Sequence, residues 1–312
     1  MDIGFILTKL GMMFAAIIAA FIAVKCKLWD AAGNRVLSNA VTFVLNPATM
    51  ISSAISGDRP LSNPQVVELT VIAFACYGFL IATSFLIPRL LHLPREQGRL
   101  YRFMHIFSNV SFFGLPVVRA LFGESASFLV VIYVMPFQLL IFTYGILLIA
   151  GEKYRKKFSP KMLLHPMILA CGLAYVLYLS RVNVPNAIKE PLSFLGQATS
   201  PIAMMVVGGT LAYAPMKKVF LNWRLYALSF IKMLIIPLLV LLVLRNILPN
   251  NQTTALLIGV SVIIMAMPNA ATTTILANQY GGDTETAASG VCLSTLLSAA
   301  TIPLLMWLMT AI

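Results

Sequence analysis

Ten apolar runs, each about as long as a bilayer is thick, leave this 312-residue chain few ways to fold. In hydrocarbon a backbone must satisfy its own hydrogen bonds, and runs of roughly 20 residues do so as helices. Spanning helices are therefore expected near residues 3–24, 36–56, 66–88, 101–121, 126–149, 162–180, 192–213, 224–245, 254–279 and 286–310. Composition agrees, with 60% hydrophobic and only 10% charged residues, where an ordinary soluble domain carries about 25% charged. The first run does not read as a signal peptide: Asp2 precedes it, and Lys25 and Lys27 follow it as an anchor.

The net charge of +12 would suit a nucleic-acid partner, but its distribution points to topology instead. The loops after the odd-numbered spans hold Lys25, Lys27, Arg35, Arg89, Arg95, Arg99, Arg102, Lys153, Arg155, Lys156, Lys157, Lys161, Lys217, Lys218 and Arg224, fifteen in all. The opposite side holds five: Arg59, Arg119, Arg181, Lys189 and Arg245. This asymmetry puts the odd loops in the cytoplasm and both termini outside the cell membrane. No nucleic-acid partner is expected; the bilayer is the surrounding medium.

The chain also repeats itself. A shift of 158 residues lays Leu37-Ser38-Asn39-Ala40 on Leu195-Gly196-Gln197-Ala198, and Phe122-Gly123 on Tyr280-Gly281. Five spans fall on each side of the basic loop 151–161, and an odd number forces the two halves to insert in opposite senses. The expected fold class is thus an all-α polytopic membrane protein, with ten transmembrane helices arranged as two inverted five-helix repeats.

Two repeat-related spans contain residues that an unbroken helix does not need. The fourth runs through Ser108-Asn109-Val110-Ser111-Phe112-Phe113-Gly114-Leu115-Pro116, and the ninth through Pro268-Asn269 and Thr272-Thr273-Thr274. Helix breaks are expected at Gly114 and Pro116 and at Pro268, because proline removes a donor and clashes with the preceding turn. A half-helix starting at such a break presents unpaired N–H groups and a positive dipole end, which suits an anion such as a carboxylate. Asn109, Val110, Ser111, Gly114, Pro268, Asn269, Thr272 and Thr273 are the candidate substrate-binding residues. Taken singly, such residues also serve ordinary helix packing; their pairing across the repeat favours a transporter's binding site.

Other positions carry less. Asn46-Pro47 and Ser200-Pro201 kink the second and seventh spans, with Asn46, Pro47 and Pro201 as possible contacts, and Gly208-Gly209 allows close packing. Lys232 lies roughly 12 Å into the eighth span at 1.5 Å per residue. It is either a charge partner for an anion or a side chain snorkelling toward the cytoplasm beside Arg224. His105 sits one turn inside the fourth span, and His92 and His165 belong to cytoplasmic loop ends. The four cysteines, Cys26, Cys76, Cys171 and Cys292, lack metal-ligand spacing and read as free buried thiols. No Asp or Glu falls in the middle of a span, and no catalytic or cofactor motif is present. No enzyme activity, cofactor or metal is expected.

The residues around the two interrupted spans resemble the auxin efflux carrier family in its compact prokaryotic form. The similarity lies in Asn109 with Gly114-Leu115-Pro116 and Leu121-Phe122-Gly123, and in Pro268-Asn269, Ala277 and Tyr280. Asn34-Arg35, Pro47 and the stretch 201–211 are also similar. The resemblance implies secondary transport of organic anions, auxin-like acids or small carboxylates such as malate or malonate, by an elevator movement. It implies that the fourth and ninth helices cross at their breaks, with Asn109 near the substrate carboxylate. It further implies scaffold helices one and two in residues 1–60 and six and seven in 162–214. Transport-domain helices three to five would occupy 61–150, and eight to ten would occupy 215–312, with a homodimer formed through the scaffold. Plant auxin exporters have Pro-Gln where this chain has Pro268-Asn269, and a second proline where it has Thr273. A sodium-coupled bile-acid-type symporter shares the inverted plan and is the rival reading, as is an anion-binding receptor that moves nothing.

Overall fold

The computed structural model describes residues 3–56, 59–151, 164–214 and 216–311. The basic cluster from Lys153 to Lys161, and with it nearly all of the expected cytoplasmic loop, lies outside them. Thirteen helical segments are seen among the described residues: α1 (Ile3–Lys25), α2 (31–55), α3 (Asn63–Leu90), α4 (Arg95–Ile106), α5 (Val110–Phe122), α6 (Glu124–Ala150), α7 (Pro166–Ser180), α8 (Asn186–Ala212), α9 (Met216–Leu221), α10 (Trp223–Ile247), α11 (Gln252–Met265), α12 (Thr272–Tyr280) and α13 (Thr284–Ala311).

Six of these, α1, α3, α6, α8, α10 and α13, are long and apolar enough to cross a membrane, where ten were expected from the sequence. The shortfall has a physical cause. The expected fourth and ninth spans are each divided, into α4 and α5 and into α11 and α12, so neither half reaches spanning length. The sixth is represented by the 15 residues of α7. The second, α2, carries Asn34, Arg35, Ser38 and Asn39 in its first half and is too polar to qualify by composition.

Several helices widen into a π-turn before a proline. Val41–Leu45, Val110–Gly114 and Ile231–Ile235 each end two residues ahead of Pro47, Pro116 and Pro237. A proline ring clashes with the carbonyl four residues earlier and removes one hydrogen bond of the ladder. In each case that carbonyl lies within the π-turn, so the wider turn absorbs the clash and the helix continues.

The packing has the symmetry of an inverted repeat. Helix α1 lies along α8, and the second half of α2 lies along α7 and α8; likewise α3 packs on α6, and α10 on α13. Exchanging the first five expected spans for the last five turns the α1–α8 pairing into α2–α7, α3–α6 into α10–α13, and α2–α8 into itself. The α1–α8 seam is tight because a Cβ at Gly208 would collide with the Ile17 carbonyl, while one at Gly209 would meet the Asn34 amide. Across the α2–α8 contact the buried hydroxyls of Thr49 and Thr199 are 2.7 Å apart, and Asn34 Nδ2 donates to Thr210 Oγ1 at 3.2 Å. These bonds lie one turn or less from the helix kinks or from the glycine pair, where the backbones come close enough for short side chains to meet.

All four cysteines are free, as expected, but Cys26 is exposed at the end of α1 and is not a buried thiol. It follows the last helical turn, where Lys25 and Lys27 hold the chain in a polar environment.

Candidate functional site

The two interrupted helices meet at their breaks. The chain leaves the helix over Phe107–Asn109 between α4 and α5, and over Ala266–Ala271 between α11 and α12. There Ser108 and Asn269 form an antiparallel bridge. Asn109 N donates to Pro268 O at 2.8 Å, and Ala270 N donates to Phe107 O at 3.1 Å. Each break thus supplies the backbone partner that the other lacks, which buried peptide groups require.

The position of the first break differs from expectation. Gly114 and Pro116 lie within the helical turns of α5, and the chain parts five residues or more before them, at Phe107–Asn109. The π-turn Val110–Gly114 accommodates Pro116, so the proline bends nothing open at its own position. Gly114 packs against α11 instead: a Cβ there would lie 3.1 Å from Ile264 Cδ1 and 3.3 Å from Met267 Cγ. Pro268 lies inside the second break and contributes its carbonyl to the crossing.

Beside the crossing is a partly enclosed cavity of about 100 Å³. Asn109, Val110, Ser111 and Thr272 line it, together with Ala270 and Ala271 at the start of α12. Asn109 Oδ1 accepts from Phe112 N at 3.3 Å, capping α5. With its oxygen so engaged, the Nδ2 group is the side chain's remaining polar contribution to the cavity. The hydroxyls of Ser111 and Thr272 are buried and have no protein partner. The first turns of α5 and α12 both begin here and bring their N-terminal amides with them.

Three polar cavity residues are not among the expected site residues: Thr42 in α2, Gln138 in α6, and His165 at the start of α7. His165 had been placed at a cytoplasmic loop end, but it caps α7, accepting from Met167 N at Nδ1 over 3.3 Å. Its ring lies against Phe43 and Phe142, with centroids 5.6 and 5.0 Å away. With Nδ1 an acceptor, the neutral ring carries its proton on Nε2, the nitrogen left for another partner. A histidine just before a proline-led helix start is the signal in the sequence that would have found it.

The remaining candidates lie elsewhere. Thr273 is buried, its N–H donating to Ala270 O at 2.9 Å and its hydroxyl unpartnered. Thr274 lines a second, wider cavity of about 440 Å³ beside Asn34 and Thr210. Asn46 is fully buried with both side-chain polar atoms unpartnered, Pro47 continues α2, and Pro201 lies within α8. Asn269 does not line the cavity. Its Oδ1 accepts from Lys232 Nζ at 2.9 Å, its Nδ2 donates to Gly290 O at 2.9 Å, and its N–H donates to Ser294 Oγ at 3.0 Å. Lys232 is fully buried and does not snorkel: Nζ also reaches Met104 O at 2.5 Å and Phe107 O at 3.2 Å. His105 is buried against α3, its Nε2 lying 2.9 Å from Thr83 Oγ1. Arg119 pairs with Glu124 and donates to Gly196 O at 3.1 Å, outside the cavity.

Among the described residues no three His, Cys, Asp or Glu side chains gather at metal-binding distance. The cavity wall is mostly apolar, from Val110, Phe112, Phe137, Ile141, Phe142, Met167 and Leu276, with hydrogen-bonding side chains interspersed and no carboxylate.

A chain of long apolar helices in inverted arrangement, with two interrupted helices crossed beside a cavity, defines a multi-pass membrane transporter. It belongs to the membrane transport protein family, whose sequence pattern matches residues 5–306. It is 26% identical to an uncharacterized transporter of Methanocaldococcus jannaschii over 289 residues, covering 88% of this chain and 89% of that one. It is 22% identical over 323 aligned residues to a Rhizobium meliloti protein named "Putative malonate transporter", covering 98% of this chain and 95% of that one.

Proposed function

We propose that this chain is a secondary transporter of small carboxylates, malonate and malate being representative, which it binds in the cavity beside the helix crossing. The observation that carries the reading is the lining. Within a mostly apolar wall its polar members are Thr42, Asn109, Ser111, Gln138, His165 and Thr272, beside the starts of α5 and α12, with no carboxylate to oppose an anion. A volume of about 100 Å³ is well below the roughly 300–1,000 Å³ of sites for drug-sized ligands, so a short-chain acid fits better than an indole or steroid acid. The name of the Rhizobium meliloti relative points the same way.

In this proposal the ten expected segments form two inverted five-segment repeats, with both termini outside the cell membrane. Spans one, two, six and seven form a scaffold and a dimer contact, while three to five and eight to ten move together past it. The cavity suits such a movement, since Thr42 and His165 come from the first group and Asn109, Gln138 and Thr272 from the second. An anion bridging the groups would be released when they slide apart.

The test is uptake of labelled malonate, malate and other mono- and dicarboxylates by purified protein in phospholipid vesicles. Saturable uptake of a short-chain acid, competed by its neighbours in the panel, is the expected result. Intact protein that moves none of them would refute the proposal.

A further inference from the structure

Transporters with interrupted helices commonly use the carbonyls at a half-helix C-terminus, with unwound backbone, to hold a sodium ion or proton. The carbonyls of Met104 and Phe107 stand in that position here, at the end of α4 and the start of the break. The group they hold is part of the chain. Lys232 Nζ lies 2.5 Å from Met104 O, 3.2 Å from Phe107 O and 2.9 Å from Asn269 Oδ1, entirely shielded from solvent.

The count of partners matters. An ammonium has three N–H donors and no acceptor, and three oxygens surround this one. A neutral amine would leave one of those oxygens unmatched and bring a lone pair to them. The oxygens belong to both crossed segments, two to the first break and one to the second. The same asparagine is fastened to α13 through Gly290 and Ser294. Among the described residues neither of the two ion pairs, Arg119–Glu124 and Lys218–Glu285, involves Lys232.

We propose that the Lys232 ammonium is a built-in cation at the helix crossing, occupying the place of a coupling ion, so that the anion is carried without sodium bound there. The negative end of α4 is then neutralised permanently, while the positive helix ends on the cavity side stay available to the substrate. The crossing keeps its charge whether or not the anion is aboard.

This rests on the carboxylate reading for its transport measurements but not for its stability measurement, so the two can fail separately. Wild-type uptake into vesicles should be equal within about twofold in sodium, potassium and choline media. Lys232→Ala removes the ammonium and leaves a space lined by three oxygens. Its melting temperature in detergent should rise with ammonium or methylammonium chloride and not with choline chloride, while the wild type responds to none of them. In vesicles the same small cations should restore at least tenfold of its lost uptake. Lys232→Met fills the space with a neutral chain and should be neither active nor rescued. Sodium-stimulated wild-type uptake, wild-type activity in Lys232→Met, or a folded Lys232→Ala indifferent to every cation would each overturn the proposal. Should Lys232→Ala not be recoverable from membranes, the wild-type ion series and Lys232→Met decide the matter.

Discussion

Two asparagines stand at the two breaks, and the structure uses them in opposite ways. Asn109 spends its oxygen on capping α5 and has its Nδ2 left for the cavity. Asn269 is bonded through its backbone N–H and both side-chain polar atoms, joining the crossing to Lys232 and α13. One break therefore opens on a cavity, while the asparagine of the other is spent on the protein itself. In an inverted repeat the two breaks begin as equivalents, so the difference shows how a symmetric crossing acquires one face open to a cavity and one closed by protein bonds.

Substitutions can break that comparison, and the largest effect is expected on the structural side. Asn269→Ala strips an acceptor from a buried ammonium, a loss of roughly 2–4 kcal/mol when a charged group is left short of partners. A marked fall in melting temperature should result, with substrate affinity in the surviving protein nearly unchanged; a variant that melts normally but binds poorly would reverse the two roles. Asn109→Ala removes a hydrogen bond to an anion, about 1.5–3 kcal/mol, or roughly 10–100-fold in affinity. Isothermal titration with malonate would show that loss beside a melting shift from the missing cap of only about 1 kcal/mol. His165→Ala tests whether the first packing group touches the substrate; a rise in KM of about 3–10-fold is expected from losing one neutral donor. Ser111→Ala, which deletes an unpartnered hydroxyl without disturbing any protein bond, should raise KM less than fivefold while leaving melting unaltered. An effect of Ser111→Ala larger than that of Asn109→Ala would move the centre of the site two residues on, into the first turn of α5.

Much of this arrangement was legible in the sequence, and the exceptions have particular causes. The second break was readable because Pro268 lies within it and nothing nearby relieves its clash. The first was displaced because Pro116 acts on the carbonyl of Phe112, four residues earlier, and a π-turn there absorbs the strain. The chain opens at Phe107–Asn109 because the opposing backbone of Pro268 and Ala270 is there to receive it, a tertiary cause with no local signature. Counting spans by length overestimated continuous helices for the same reason. Lys232 is a problem when considered by itself in a span, and the carbonyls left at the end of α4 are the partners it required. Thr42 and Gln138 could not be singled out, since a lone polar residue in a span usually bonds across an interface, and only the folded chain shows that these face a cavity.

The crossing also has a consequence for how the protein is made. Ser108 and Asn269 are separated by about 160 residues of chain. At translation speeds of about 5–20 residues per second, the second break leaves the ribosome on the order of ten seconds or more after the first. Throughout that interval the backbone groups of Phe107 and Asn109 are in the membrane without the partners that later pair them. The first half of the molecule must wait with an open polar seam, shielded by water or by the insertion machinery. Its final shape is acquired only when the second half arrives to close it.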